Sequence, residues 1–466
     1  MLFNSIHFLV FFPFALLGYF LLPFKARNFW LLLTSYYFYA AWKPEYALLL
    51  LATTTFDFAL AKAIQNSIAA PKGKLFFIFS LLANLSVLIY FKYLFFFAEI
   101  SGFVSSDSSF LSHQFLLPLG ISFYTFQSIS YITDVYRKKI PAEKNFITYA
   151  LFVVFFPQLV AGPIERAGHL ISQLQSKHAF DFSRINSGLR RMAWGMFKKV
   201  VVADRLALLV DPVFNHPEQF DACVIGFAAI AFTFQILADF SGYTDIAIGA
   251  ARCFGINLME NFLSPFVANS FTDFWRRWHI SLSTWLRDYV YHPLGGNQKG
   301  RLWSMVFIMI TFFLSGLWHG AALTFVIFGC IHGFFLALEV YFPALKVPPN
   351  KSWNIIFQAR TYFLFALSLI LFRAPSLELA ATLYNRLFSF AGGISFIDLH
   401  IPKSELLLMP ILVFVMEFID RHKTRIRDLA NSKLPVGVRL IGYSVFLFSI
   451  LFLGVFENRQ FIYFQF

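Results

Sequence analysis

Two histidines lie inside one apolar stretch of the sequence. His319 and His332 belong to FFLSGLWHGAALTFVIFGCIHG, residues 312–333, which is otherwise apolar enough to cross a bilayer. An imidazole, whose unperturbed pKa is roughly 6.5, takes a proton from a hydroxyl and returns it to a leaving group near neutral pH. Gly316 and Gly320 flank Trp318 and His319, so backbone or substrate can approach closely, and Trp318 is predicted to form a wall of the substrate-binding site. The pattern predicts catalysis by His319 within the membrane, with a structural histidine hydrogen-bonded between helices as the alternative.

A second segment, DFWRRWHISLSTWLRDYVYHPLGGN at residues 273–297, interleaves tryptophans with cationic side chains. Helical spacing predicts one face with Trp275, Trp278 and His279, and places Arg276 and Arg277 mostly elsewhere. Such a segment is typical of a re-entrant or interfacial element. Its Trp and Arg side chains either face a substrate or anchor a helix among lipid headgroups.

Four aspartates lie in or near apolar runs: Asp57, Asp134, Asp239 and Asp245. Intramembrane carboxylates suggest a proton path, although helix caps or ion pairs with arginine explain them equally well. Asp239 and Asp245 belong to DFSGYTDIAIG and are too far apart to share one helix face well. For this segment we predict a structural turn between two spans.

Several common catalytic signatures are missing from the sequence. It contains no GxSxG elbow, P-loop, HExxH or paired-cysteine motif, so hydrolase, nucleotidase and zinc chemistry lose their usual support. The three cysteines, Cys223, Cys253 and Cys330, lie in or beside apolar runs and are predicted to be small core residues. We expect no metal and no bound cofactor.

The composition is that of a membrane protein. Of 466 residues, 58% are apolar and 14% are charged, and the mean hydropathy is +0.65. A soluble globular protein has roughly 45–50% apolar and about 25% charged residues. Apolar runs recur along the chain without a long polar region, which predicts a single transmembrane domain over residues 1–466. The net charge of +13 is explained by Lys and Arg in cytoplasmic loops rather than by a nucleic-acid partner.

The apolar runs predict ten to twelve spans. Basic residues fall in alternate loops, at 25–27, 62–74 and 137–144, and the positive-inside rule then places the N-terminus outside and the first apolar run as a retained span. Arg190, Arg191, Lys198 and Lys199 alternate with apolar residues, which predicts a cytoplasmic helix at the interface. The candidate apolar runs outnumber the spans because some of them are predicted to be re-entrant; they are 6–24, 28–42, 46–61, 75–100, 115–135, 146–161, 223–238, 243–254, 302–317, 321–341, 355–372, 406–419 and 440–456.

Several motifs together resemble one family. They are LLLTSYYFYAAWKPEY, PLGISFYTFQSISYITDVYR, FFPQLVAGPIERAGH, DFSGYTDIAIGAARCFGINL, DFWRRWHISLSTWLRDYVYHPLGGN, SGLWHG and the closing FIYFQF. The chain resembles the bacterial membrane-bound O-acyltransferases (MBOAT), in particular the branch that O-acetylates alginate and peptidoglycan. The resemblance covers nearly the whole chain.

The resemblance implies an all-α bundle of about eleven spans with re-entrant helices around a funnel or tunnel. It implies His319 as the catalytic residue and His279 as the second active-site position. The donor would be a cytosolic thioester, acetyl-CoA in this branch. The acceptor would be an extracytoplasmic polysaccharide or peptidoglycan, often reached through a partner O-acetyltransferase of the SGNH-hydrolase type. The location would be the bacterial inner membrane.

Two other functions remain open from the sequence. The branch that transfers D-alanine to teichoic acids shares the core motifs, with a carrier-protein thioester as donor. A transporter or flippase would explain the many spans and the buried carboxylates. Retained acetylation after substitution of His319 by alanine would argue against the catalytic prediction.

Overall fold

The computed structural model describes residues 1–101, 118–160, 162–346, 350–389, 401–432, 435–456 and 461–464. Within these ranges the regular structure is helical and none of it is β-strand, as the predicted all-α class requires. The α-helices are α1 Ile6–Leu21, α2 Phe24–Ala40, α3 Pro44–Asn66, α4 Pro71–Leu88, α5 Leu94–Ile100, α6 Ile121–Tyr136, α7 Phe146–Val154, α8 Phe156–Leu159, α9 Ala167–Leu174, α10 Phe182–Met196, α11 Asp204–Asn215, α12 Ala222–Cys253, α13 Phe271–Arg277, α14 Ile280–Leu286, α15 His292–Leu294, α16 Arg301–His319, α17 Leu323–Tyr341, α18 Asn354–Arg373, α19 Leu377–Ser389, α20 Lys403–Ser432 and α21 Val436–Leu453.

Seven helical stretches in the described residues are long and apolar enough to cross a membrane. They are Pro44–Asn66, Pro71–Tyr93, Ala222–Cys253, Arg301–His319, Leu323–Tyr341, Asn354–Arg373 and Val436–Leu453. Ile6–Leu21 and Phe146–Leu159 are shorter apolar helices. The chain is therefore a multi-pass membrane protein, and the count of eleven spans is not confirmed.

Large apolar side chains are exposed along these helices. On α1, Ile6, Val10 and Leu17 repeat at helical spacing and are more than half exposed, and α21 exposes Ile441 and Phe452 in the same way. Contiguous apolar surface of this extent is unfavourable in water and is typical of contact with lipid tails.

The predicted turn at residues 239–249 is wrong, because these residues lie inside the continuous helix α12. Neither carboxylate has to end the helix, since each has a cationic partner beside it. Asp239 pairs with Lys199 at 2.7 Å, and Asp245 pairs with Arg191 at 2.8 Å. Two predicted spans, 223–238 and 243–254, are thus one helix.

The chain divides into two compact units, and α10 and α12 contribute residues to both. Unit 1 comprises Met1–Met192 and Thr244–Met259. Its basic loops lie at one end and are linked by hydrogen bonds: Lys62 donates to the carbonyl of Lys144, Gln175 donates to the Glu143 carboxylate, and Arg27 donates to the carbonyl of His178. This contact pattern agrees with the predicted alternation of loops, and the assignment of this end to the cytoplasm stays a prediction.

Unit 2 comprises Ala193–Tyr243 and Glu260–Phe466. A large core of buried aliphatic and aromatic side chains runs through it, with contributions from α11, α12, α17 and α18. Both candidate catalytic histidines belong to this unit. The prediction of one transmembrane domain over residues 1–466 stays a prediction.

The predicted interfacial helix around residues 190–202 is partly wrong. Arg190 and Arg191 lie on α10 at intermediate exposure, but Lys198 and Lys199 follow in a buried π-helical segment, Phe197–Ala203. The Lys198 ammonium pairs with Asp420 at 2.7 Å. Alternation of charge and apolarity does not distinguish solvated cations from buried ion-paired ones. Of the cysteines, Cys253 is buried, whereas Cys223 is exposed and therefore is not the core residue we expected.

Candidate functional site

The crossing of α16 and α17 positions His319. A Cβ atom on Gly316 would lie 2.3 Å from the Phe325 carbonyl oxygen, and one on Gly329 would lie 2.3 Å from that of Phe312. The two helices therefore meet backbone to backbone, which only glycine permits at this distance. His319 is the last residue of α16, about one turn beyond this contact.

The His319 imidazole lies among aromatic rings. Its ring centroid is 5.0 Å from that of Trp318, 5.2 Å from Phe372, 5.7 Å from Tyr463 and 6.0 Å from Phe328. The residue is 4% exposed. Aromatic walls of this kind exclude water and strengthen the electrostatic interactions of any polar group held between them.

His279 lies at a break between two short helices. Helix α13 ends at Arg277, His279 has the left-handed conformation φ 43° and ψ 54°, and α14 begins at Ile280. The single helical face that we predicted for Trp275, Trp278 and His279 is therefore wrong, because the helix does not continue through them. All three side chains are nevertheless buried.

Hydrogen bonds with neighbouring segments stabilise the helix break at His279. The buried Glu339 carboxylate of α17 accepts from the backbone N–H of Phe271 at 2.6 Å and of Thr272 at 2.9 Å, which caps the N-terminus of α13. Beyond the break, the Ile280 N–H donates to the carbonyl oxygen of Asn261 at 3.0 Å. A left-handed non-glycine residue costs about 1–3 kcal/mol and persists where its surroundings enforce it.

Asn261 determines which nitrogen of His279 carries the proton. Its Oδ1 accepts from the Ser281 backbone N–H at 3.1 Å and from the Ser281 hydroxyl at 2.9 Å. A backbone N–H only donates, so this atom is the amide oxygen. The Nδ1 of His279, 3.2 Å away, must then carry a hydrogen to bond to it. Nε2 consequently holds the lone pair, and it has no hydrogen-bond partner among the residues that the structure describes.

His279 is neutral in this environment. The residue is fully buried and lies outside the spanning helices. Burial lowers its pKa to about 3, because the charged imidazolium is poorly solvated there. A neutral ring with a lone pair at Nε2 suits the acceptance of a hydrogen bond from a hydroxyl.

Two aromatic side chains connect the histidines. The Trp318 ring lies 5.7 Å from that of His279 and 5.0 Å from that of His319. The Tyr463 ring lies 6.4 Å from His279 and 5.7 Å from His319. Burial raises the pKa of Tyr463, so its phenol keeps its proton at neutral pH. The structure thus brings His279, His319 and the predicted substrate-binding Trp318 together around Tyr463.

The surroundings of the other predicted substrate-binding residues differ from those of Trp318. Trp278 packs against Phe262 and Phe274, and Trp275 packs against Phe312. Their rings are part of the buried aromatic core. Arg276 is exposed, and Arg277 pairs with Asp273 at 3.0 Å.

His332 has the structural role that we held as the alternative for His319. Its Nε2 lies 3.0 Å from the Ser368 hydroxyl, a hydrogen bond between α17 and α18. The two intramembrane histidines of residues 312–333 therefore have different surroundings.

Three residues of the site are missed by the sequence reasoning: Asn261, Glu339 and Tyr463. Asn261 and Glu339 act on segments distant from them in sequence, so no local periodicity indicates them. Tyr463 belongs to FIYFQF, which carries the resemblance but has no spacing relation to either histidine.

The family comparison agrees with the motifs. A family model described as the membrane-bound O-acyltransferase family matches residues 137–377, which include both histidines and Trp318. The chain belongs to the membrane-bound O-acyltransferase family. It is therefore an O-acyltransferase, as the resemblance implies.

Three MBOAT relatives differ in how much of the chain they share. The probable alginate O-acetylase AlgI of Pseudomonas putida is 36% identical, with 100% of both chains covered. The peptidoglycan O-acetyltransferase of Helicobacter pylori is 35% identical over 87% of this chain and 83% of its own length. The teichoic acid D-alanyltransferase of Bacillus subtilis is 27% identical over 52% of this chain and 65% of its own. The O-acetylating relatives thus match more of this chain, and at higher identity.

Proposed function

We propose that this MBOAT protein transfers acetyl groups from a cytosolic thioester, acetyl-CoA, to hydroxyls of an extracytoplasmic polysaccharide or of peptidoglycan. The observation that carries the proposal is the cluster of His279 and His319 around Trp318 and Tyr463 inside unit 2. The match to an alginate O-acetylase over the whole chain supports acetyl as the group transferred. D-alanyl transfer is the second candidate, and the shorter match to a D-alanyltransferase makes it the weaker one.

In the proposed reaction, His319 takes the proton of the acceptor hydroxyl as its oxygen attacks the thioester carbonyl. The tetrahedral intermediate then expels the CoA thiolate, which receives the proton from His319. In a second route, the neutral imidazole of His319 attacks the thioester and expels the CoA thiolate. The acceptor hydroxyl then attacks the acetyl-imidazole, which restores His319, and the hydroxyl proton passes to the thiolate. The Nε2 of neutral His279 orients the acceptor by accepting a hydrogen bond from a neighbouring hydroxyl, which leaves the proton of the attacking hydroxyl free to transfer.

Access to the site requires movement. His279 is fully buried and His319 is 4% exposed, so a thioester reaches them only when covering aromatic side chains move aside. Exposed Arg276 and the partly exposed Arg277–Asp273 pair are candidates for attracting the CoA phosphates at the surface. In this proposal the predicted funnel or tunnel becomes continuous with the histidines only after that movement.

We place the protein in the bacterial inner membrane, with the basic loops of unit 1 in the cytoplasm and the N-terminus outside. The positive-inside rule supports this orientation, and the shared end of those loops is consistent with it. An extracytoplasmic O-acetyltransferase of the SGNH-hydrolase type is the proposed partner that completes transfer to the glycan.

The test replaces His319 by glutamine in a deletion strain and measures glycan O-acetylation by mass spectrometry. We expect acetylation to fall at least about 100-fold, the scale of a lost acid–base group. His332→Gln is the matched control: it alters another buried histidine and should retain acetylation. Acetylation that survives His319→Gln at normal protein level would overturn the assignment of His319.

An assay with purified protein distinguishes acetyl-CoA from a D-alanyl carrier thioester as the donor, and acyl transfer from transport as the activity. The protein in lipid nanodiscs, with an acceptor oligosaccharide, should release free CoA from acetyl-CoA, and His319→Gln should not. Turnover with a D-alanyl carrier thioester alone would favour the second candidate. Solute uptake into proteoliposomes that is unaffected by His319→Gln would instead support a transporter.

A further inference from the structure

A buried ion-pair cluster lies beside the candidate site in unit 2. The Lys199 ammonium pairs with Asp204 at 2.8 Å and with Asp239 at 2.7 Å. Lys199 and Asp239 are each 1% exposed. Burying such charges costs free energy that their attraction repays only in part, so a buried pair is weak evidence of a stabilising role. The cluster therefore calls for another explanation.

The second oxygen of the Asp239 carboxylate contacts a different segment. Oδ2 accepts a hydrogen bond from the Ile462 backbone N–H at 2.7 Å. One carboxylate thus bridges the Lys199 ammonium and the backbone of residues 461–464. The oxygen that accepts from Ile462 belongs to an ion-paired carboxylate, and such charge-assisted hydrogen bonds are stronger than those between neutral groups.

The neighbouring residues of α12 hold the same segment. The Phe461 ring lies 4.6 Å from Tyr243 and 5.4 Å from Phe240, and the Tyr463 ring lies 4.5 Å from Phe240. The Phe240 ring is also 4.7 Å from that of His279. A single turn of α12 therefore contacts three consecutive residues of the segment and one of the two histidines.

We infer that Asp239 is a positioning residue of the active site, which acts by holding residues 461–464 against α12 so that the Tyr463 ring lies close to both His279 and His319. The regular structure of this segment is a single 3-10 turn, Ile462–Phe464. One such turn has too few internal hydrogen bonds to fix its own place. The Asp239 bridge and the Phe461 packing supply that restraint. The inference rests on the proposed function only where it concerns turnover.

The first experiment measures the restraint without any reaction. In Asp239→Asn, the amide oxygen can face either Lys199 or Ile462 but cannot serve both, and Asp204 still neutralises Lys199. Hydrogen–deuterium exchange should therefore become faster in the peptide that contains Ile462. Asp245→Asn is the matched control on the same helix: it removes a carboxylate that pairs with Arg191, and exchange of this peptide should stay at the wild-type rate. Equal exchange in wild type and Asp239→Asn overturns the inference.

The second experiment measures turnover with acetyl-CoA. We expect Asp239→Asn to lower kcat about 100-fold, as misplacement of a positioning element does, with KM for acetyl-CoA unchanged. In a Tyr463→Ala background, Asp239→Asn should lower kcat no further, because both changes remove the same placement. Additive losses, or an unchanged kcat in Asp239→Asn, overturn the inference.

If Asp239→Asn does not fold, a second variant tests the same inference. Phe461→Ala weakens the packing on Phe240 and Tyr243 and leaves the ion pairs in place, and we expect the same faster exchange and lower kcat. Unchanged exchange and turnover in folded Phe461→Ala overturn the inference. A wild-type protein that does not use acetyl-CoA would refute the proposed function, while the exchange experiment would still decide the role of Asp239.

Discussion

At the scale of residues, the tautomer of His279 determines whether its ring can accept a hydrogen bond from the acceptor. Asn261 holds the proton on Nδ1 and leaves the lone pair on Nε2. Because burial keeps the pKa of His279 at about 3, the ring stays neutral throughout the physiological pH range. In the wild-type protein, titration of His279 should therefore leave the rate unchanged between about pH 5 and 8.

Asn261→Asp makes this property measurable. The new carboxylate still accepts from Nδ1–H, but its charge favours the imidazolium and raises the pKa of His279. Below the raised pKa, Nε2 is protonated and no longer accepts a hydrogen bond. We expect the acetyl-transfer rate of Asn261→Asp to fall more steeply with falling pH than that of the wild type, in which His319 titrates but His279 does not. Ser281→Ala is the control, because it removes a hydrogen bond to Asn261 without adding charge. Identical pH–rate profiles for wild type and Asn261→Asp would refute the role given to His279.

At the scale of elements, the close crossing of α16 and α17 decides where His319 lies. Gly316→Ala places a methyl group 2.3 Å from the Phe325 carbonyl oxygen, so the helices must separate. Overpacking of this kind costs about 1–3 kcal/mol and should displace His319. We expect a lower thermal unfolding midpoint and a loss of acetyl transfer.

The chain offers a matched control for this substitution. Gly442 lies within α21, and a Cβ atom there would meet nothing within 4 Å. Gly442→Ala should leave activity unchanged and stability equal or slightly higher, because alanine favours the helix. If Gly316→Ala is as well tolerated as Gly442→Ala, the crossing does not position the site.

The sequence predicts those elements whose structure depends on residues close together in the chain. The apolar run of residues 312–333 predicts helices around His319, and Gly316 predicts close backbone approach, which the α16–α17 crossing confirms; Gly320 instead lies against the Phe325 ring. The break at His279 was not predicted, because nothing in FWRRWHISLS marks a left-handed residue. Its cause lies in Asn261 and Glu339, which reach it from other segments. The sequence likewise predicts an interfacial position for Lys199, because its carboxylate partners, Asp204 and Asp239, come close to it only in the tertiary fold.

At the scale of the whole molecule, family membership and multi-pass architecture follow from features spread along the entire chain. The apolar composition predicted the membrane class, and the combined motifs predicted the MBOAT family that the family model confirms. Helix count was less predictable, since α12 carries two carboxylates through its interior without interruption. Acceptor identity is a property of the proposed pathway that no motif of this chain specifies.

The burial of Lys198 and Lys199 has a practical consequence. Both side chains are almost fully shielded and held by aspartates, so amine-acylating reagents should modify exposed lysines and leave this pair untouched. Label at either position, read by peptide mapping after detergent extraction, would report the fraction of molecules whose unit 2 has opened. A preparation in which this pair is labelled as readily as Lys72 has lost its native interior, whatever its yield.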